Sequence, residues 1–265
     1  MRPSSHVRVR SASLGRVHAP RGGPACAEIA SEKRPAGTAN CPPVVEGKRM
    51  TDHISHPFRL KVWGNYACFA RPEMKVERVS YPIMTPSAAR GVLESILWKP
   101  QIFWRIDRID RLHAPIFQQV RRNEVQSKAS PDRIGIIISE ARQQRAGLVL
   151  RDVAYTIHAR FGLTKKAASA DTVAKYAAMF ERRAYAGQCF QRPCLGSREF
   201  AADFSLLSRN DPDPLPEEAL PIEDLGWIFY DFDWSQRPPC PRFFEARLEG
   251  GRMRVPPPDS VGLKS

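Results

Sequence analysis

Residues 171–200 read DTVAKYAAMFERRAYAGQCFQRPCLGSREF, and the helix they encode decides the fold. Val173, Ala177, Phe180 and Ala184 follow the i, i+4, i+7, i+11 spacing of one helix face. Lys175 and Arg182, like Tyr176 and Arg183, stand seven residues apart, so each pair stacks over two turns on flanks away from that face. Gly187 tolerates the left-handed conformation of a helix C-terminus, and the Cys189-Phe190-Gln191-Arg192-Pro193 run behind it cannot continue the helix. The segment is a basic amphipathic helix followed by a turn. Ordinary solvated cations are the other reading of such a face.

Working outward, Phe58, Leu60 and Val62 alternate with Arg59, Lys61 and Trp63, the period of a half-buried strand that Gly64-Asn65 should end. Thr85-Pro86-Ser87 starts a helix with an N-cap hydroxyl and an early proline; Ala89, Val92, Leu93 and Ile96 face inward, and Lys99-Pro100 stops it. Gly91 in its middle costs ~1 kcal/mol relative to alanine, which anticipates a close backbone contact. Residues 101–116 read as a strand, Arg121-Arg122-Asn123-Glu124 as a charged turn, and 131–144 as an ambiguous stretch. Residues 146–161 then form a long strand with His158 and Arg160 on one face.

Up to the helix of residues 171–187 the coarse order reads β-α-β-β-α-β, and 200–204 is a strand candidate of the portion that follows. That is the ferredoxin-like (RRM-like) order, used by many RNA-binding domains. Leu225–Phe232 is a further strand, and Phe243–Leu248 and Met253–Val255 form a hairpin across Gly250-Gly251. The expected architecture is α+β: a ferredoxin-like domain over 50–199, a small antiparallel β-rich portion over 200–255, and a tail over 256–265.

The 41 Lys+Arg against 28 Asp+Glu give a net charge of +13, which favours a polyanionic partner such as nucleic acid. Residues 1–49 hold nine of those cations and three of the acids. The patterned remainder is therefore moderately basic. Residues 1–49 are rich in Pro, Gly, Arg, Ser and Ala without periodicity, so a disordered basic extension is expected, with Met50 as the true start. No apolar run approaches the ~20 residues of a membrane span. Six scattered cysteines without CxxC spacing point to a reduced, cytoplasmic protein that binds no metal and needs no cofactor.

Four blocks are specific enough to carry a family resemblance: GNYACFARPEMKVERVSYPIMTPSAARGVLESILWKP (64–100), RRNE (121–124), LRDVAYTIHARF (150–161) and KYAAMFERRAYAGQCFQRPCLGSREF (175–200). Together they resemble Cas5 of type I-C CRISPR systems, the Cas5d or Cas5c proteins, over about residues 56–248. The resemblance implies an endoribonuclease that cuts precursor CRISPR RNA within its repeat. The reaction is metal-independent: the ribose 2′-hydroxyl attacks the neighbouring phosphate, leaving a 2′,3′-cyclic phosphate and a 5′-hydroxyl. The protein then stays on the 5′ handle of the guide RNA, beside a Cas7-type backbone subunit and a Cas8-type large subunit. A non-catalytic subunit that caps the same handle is the alternative.

The family's described catalytic set is a tyrosine just before the WKP segment and an adjacent Lys-His pair. Here the first position is Leu97 and the pair is Lys175-Tyr176, so only the lysine is kept. The expected catalytic residues are Lys175, Tyr176 and His158, with three openings for the base. Tyr176 orients the hydroxyl or acts as a base with Lys175 lowering its pKa; another residue such as His158, Tyr66 or Tyr81 serves; or positioning and electrostatics suffice. The expected RNA contacts are Arg121, Arg122, Arg182, Arg183 and Arg192 on phosphates, with Tyr66 stacking on a base. Surface charge and core packing are the plain alternatives for each.

Overall fold

The computed structural model describes residues 54–74, 76–127, 135–216, 221–260 and 262–264. The expectations for residues 1–49 and for Met50 lie outside them. In chain order the elements are β1 (Phe58–Ala67), α1 (Pro86–Ile96), β2 (Ile102–Arg111), β3 (Ile116–Val125), α2 (Ile138–Ala141) and β4 (Arg142–Leu163). They continue with α3 (Val173–Tyr185), β5 (Asp203–Leu206), β6 (Glu223–Asp233), β7 (Cys240–Glu249), β8 (Arg252–Arg254) and β9 (Leu263–Lys264).

The strands form one sheet in the order β5-β1-β4-β2-β8-β7-β6, with β3 on β4 and β9 on β7. Helix α1 joins β1 to β2 and α3 joins β4 to β5, while β4 lies between β1 and β2 and β1 between β4 and β5. These are the two interlocked βαβ units of the β-α-β-β-α-β order. Strands β6, β7 and β8 extend the same sheet beyond β2. β5 lies past residue 199 yet pairs with β1, and β9 falls in the stretch expected as a tail.

Helices α1 and α3 cap as their sequences require. The Thr85 hydroxyl accepts from Ala88 N at 3.3 Å and the Thr172 hydroxyl from Lys175 N at 3.2 Å. At the far end of α3, Gln188 N bonds Arg183 O and Gly187 N bonds Ala184 O, with Gly187 at φ +64°, a Schellman closure.

Helices α1 and α3 pack on one face of the sheet. Phe58, Leu60 and Val62 of β1, Trp104 and Ile106 of β2, and Ile157, Ala159 and Phe161 of β4 are buried beneath them. Phe180 of α3 sets its ring 5.0 Å from Phe58 and 4.8 Å from Trp104. The inward residues of β2 run 102, 104, 106 and then 109, because a bulge between Ile106 and Arg108 resets the alternation. Arg108 and Asp110 thereby come to share the opposite face with His158 and Arg59.

Three expectations change. Gly64-Asn65 does not end β1, which runs on beneath the 194–201 loop. A Cβ on Gly64 would lie 2.7 Å from Leu195 Cδ1, so the glycine permits a close approach. Arg121–Glu124 is no turn: it pairs with residues 143–146 inside the β3–β4 ladder. That hairpin lacks a fully buried side chain along β3, so its backbone bonds leave no apolar signature. Gly91 meets no atom within 4 Å, the reverse of the crowding its cost anticipates.

Candidate active site and nucleic-acid interface

The chemistry-bearing part of α3 is its first turn. Asp171 Oδ1 accepts from Tyr176 Oη at 2.7 Å and from Lys175 Nζ at 3.0 Å, while Oδ2 accepts from Ala168 N at 3.1 Å. Those hydrogen bonds, Tyr176's first, hold the Asp171 carboxyl down at about 2. Tyr176 is 3 % exposed, lying on the apolar face rather than beside it. Burial, with Asp171 assisting, pushes its phenol up to about 12. This corrects the idea of a tyrosine base with a lowered pKa: the carboxylate is nearer than the ammonium, and the shift is upward. Tyr176 is a phenol at neutral pH with its proton already donated. The Lys175 side chain is half exposed, and its ammonium is the group of the three free to reach a phosphate.

The sign of the linkage follows. Asp171 is more acidic folded than unfolded, so its stabilisation is present above pH ~4 and lost as pH falls toward 2. Tyr176 is less acidic folded than unfolded, so its contribution is complete below pH ~10 and lost as pH rises toward 12.

His158 does not join this group. It lies on the sheet face away from the helices, its Nε2 2.9 Å from Asp110 Oδ2 and 2.8 Å from Arg108 Nη2. Arg108 Nη2 also donates to Asp213 Oδ2 at 2.7 Å, and Arg59 Nη1 to Asp213 Oδ1 at 2.6 Å. Burial works against the Asp213 carboxylate, but these two guanidiniums still hold it below its usual range. Asp110, His158 and Asp213 place ligand atoms within 4.8 Å of one another, geometry that could hold a cation. Both carboxylates, however, are already engaged by arginines. The cluster ties the loop bearing Asp213 to the sheet. His158→Ala is therefore expected to lower the melting temperature yet leave any single-turnover RNA cleavage within about threefold of wild type, since general catalysis contributes ~10²–10⁴-fold. A drop beyond tenfold at unchanged fold would return His158 to the chemistry.

The expected RNA contacts separate by what they already hold. Arg183 donates to Ile96 O at 3.0 Å and ties α3 to the end of α1. Arg122 is bound to Glu199, which also lies 3.7 Å from Arg78. Arg121 and Arg182 are exposed, with no ion pair among the described residues, and Arg192 is exposed and 3.4 Å from Asp203. Tyr66 sits 6.0 Å from the Phe200 ring at the end of β1.

Behind α3 the chain closes a groove of about 630 Å³ against α1, lined by Gly91, Ser95, Trp98, Phe190, Arg192 and Arg78 among others. Phe190 N donates to Ser95 O at 2.8 Å, and Cys68 N donates to Leu195 O at 3.0 Å. Gly196, at φ +85°, is where the loop presses on β1's extension: a Cβ there would lie 1.9 Å from Cys68 O. Neither this groove nor Asp171 follows from the sequence reading. Asp171 stands four residues before Lys175, a helical ion-pair spacing that could have marked it.

Fold and site define a class: a ferredoxin-like α+β protein with a lysine–carboxylate pair and a cation-edged groove on its helical side. Residues 58–256 match the family described as CRISPR-associated protein (Cas_Cas5), Cas5d. The chain is 47 % identical over 218 residues to a CRISPR pre-crRNA endoribonuclease Cas5d of Mannheimia succiniciproducens, covering 77 % of this chain and 96 % of that protein. It is 42 % identical over 219 residues to a protein of the same description from Thermus thermophilus, covering 75 % and 90 %. A crystal structure of a CRISPR-associated protein superposes with a TM-score of 0.62 at 21 % identity, covering 82 % of this chain and all of that one. The chain belongs to the Cas5d family of CRISPR-associated proteins.

Proposed function

We propose that this protein is an endoribonuclease that cuts precursor CRISPR RNA within its repeat and then stays on the 5′ handle as a subunit of the interference complex. The observation that carries this is the 47 % identity extending over 96 % of a relative named for that activity. In the complex its neighbours are a Cas7-type backbone subunit and a Cas8-type large subunit, and its compartment is the cytoplasm. No helix among the described residues is long and apolar enough to cross a membrane.

The chemistry we assign is in-line attack of a ribose 2′-hydroxyl on the adjacent phosphate. The protein must stabilise the added negative charge of the phosphorane. Lys175 is the residue for that task. It stands in the first turn of α3, which carries no acid, and there the helix dipole disfavours a cation but favours an anion. A phosphate placed there meets both the ammonium and the helix N-terminus. Asp171 is the positioning residue that holds the ammonium. Tyr176 supplies ring packing, with its hydroxyl committed to Asp171. Tyr176→Phe should therefore change the single-turnover rate by less than about threefold, against the ~10²–10⁴-fold loss expected for a proton-transfer group. A loss in that larger range would make the phenol part of the chemistry.

The second reading, a subunit that caps the handle without cutting, draws support from Leu97. This side chain, at the family's tyrosine position, is fully buried at the end of α1, where its carbonyl accepts from Trp104 Nε1 at 3.0 Å. Incubation of excess protein with repeat RNA in EDTA separates the two. Cleavage of the repeat hairpin but not of a scrambled hairpin supports the nuclease; intact RNA supports the cap; and cutting that EDTA stops overturns the metal-free mechanism.

A further inference from the structure

The groove between α1 and the 190–197 loop is not accounted for by the chemistry at Lys175, which lies at the other end of α3. Its floor contains Gly91, in mid-helix, where glycine weakens the helix relative to alanine. Such a choice is ordinarily explained by a crowding neighbour, but none lies within 4 Å. Ser87 and Ser95 flank it one turn away on either side, and both line the same groove. The small side chains therefore open a space that the protein does not fill.

Two large rings stand at that space. Trp98 is 62 % exposed and Phe190, at 89 %, is more exposed than any other large hydrophobic side chain among the described residues. Arg192 and Arg78 line the groove with them. The acid present, Glu94, is turned to Arg90 at 3.2 Å. Exposed rings, a floor of small side chains and guanidiniums match a nucleobase with its phosphate: aromatic faces stack on any base, and cations follow the backbone. An apolar peptide would use the rings but not Arg192, whose exposed guanidinium reaches Asp203 only at 3.4 Å.

From these features we infer that the groove is a seat for unpaired nucleotides of the repeat RNA, with Trp98 and Phe190 stacking on bases and Arg192 bonding phosphate. This rests on the proposed RNA-processing function. The seat is separate from the cleavage group, so it governs affinity rather than the chemical step.

The test compares wild type with Phe190→Ala, Trp98→Ala and Gly91→Leu. Each is titrated by fluorescence anisotropy against the repeat hairpin carrying its single-stranded flanks, and against the hairpin trimmed of them. Phe190 is exposed and Gly91 has open space, so both variants are expected to melt no lower than wild type. Each variant should bind the flanked RNA about 10- to 100-fold more weakly, the loss of one stacked base, while affinity for the trimmed hairpin stays within about twofold. The single-turnover rate at saturating RNA should be unchanged. Wild-type affinity of all three variants for flanked RNA would overturn the seat while leaving the nuclease reading in place. So would variants that bind RNA normally but no longer assemble with the other subunits, which would mark the groove as a protein-docking surface. Wild type that neither binds nor cuts the repeat would remove both.

Discussion

Lys175→Ala is expected to lower the single-turnover cleavage rate of repeat RNA by about 10²–10³-fold, the range seen when a donor to a developing oxyanion is removed. The affinity for the same hairpin should weaken by less than about fivefold. The split follows from where the ammonium stands. It is held 3.0 Å from Asp171 and half exposed, so it is oriented before RNA arrives. It is also one cation among many, and loss of one phosphate contact changes ground-state binding little at moderate salt. Its effect is concentrated where charge accumulates on the phosphorane. Asp171→Asn is the companion variant: it keeps the shape but weakens the hold on Lys175, so it should produce a partial loss of rate. A Lys175→Ala protein that cuts at the wild-type rate would remove this lysine from the mechanism.

Gly196→Ala should be the most destabilising conservative change in the loop behind α3. At φ +85° an L side chain costs ~1–3 kcal/mol, and overpacking adds a further ~1–3 kcal/mol. The second contribution is certain to be felt because the added Cβ would lie 1.9 Å from the carbonyl oxygen of Cys68, a backbone atom that cannot rotate away. The same loop holds the Cys68–Leu195 and Leu195–Phe200 backbone bonds. A drop in melting temperature of roughly 4–24 °C is expected, scaling ~2–4 °C per kcal/mol for a domain of this size. Gly187→Ala, also at positive φ but with no atom within 4 Å, should cost only the conformational part. Equal melting of the two variants would contradict the close-approach account.

Much of the fold was legible because its signals are local. Thr85-Pro86 announces a helix start, Gly187 a helix end, and the alternation at 58–63 a strand with one buried face. The β3–β4 hairpin was not legible, since Arg121–Glu124 and residues 142–145 are polar on both faces and paired through backbone alone. Tyr176 was misplaced for a related reason. It stands three residues from Val173 and four from Phe180, inside the apolar stripe, but a reading confined to Val173, Ala177, Phe180 and Ala184 passes over it. Lys175 could be singled out from its place on a basic flank and from the family resemblance. Asp171 was within reach of the i,i+4 spacing to Lys175, but the separation of His158 and the Gly91 groove depend on which strand faces and loops meet, and no local pattern encodes that.

The central claim is that RNA cleavage by this protein proceeds through the ribose hydroxyl of the substrate. Replacing that one nucleotide of the repeat by its 2′-deoxy counterpart, and following single-turnover cutting in EDTA, tests it directly. The account predicts full binding, no detectable cleavage at that position, and a 2′,3′-cyclic phosphate on the product of the unmodified RNA. Cutting of the deoxy substrate at the unmodified rate would contradict it.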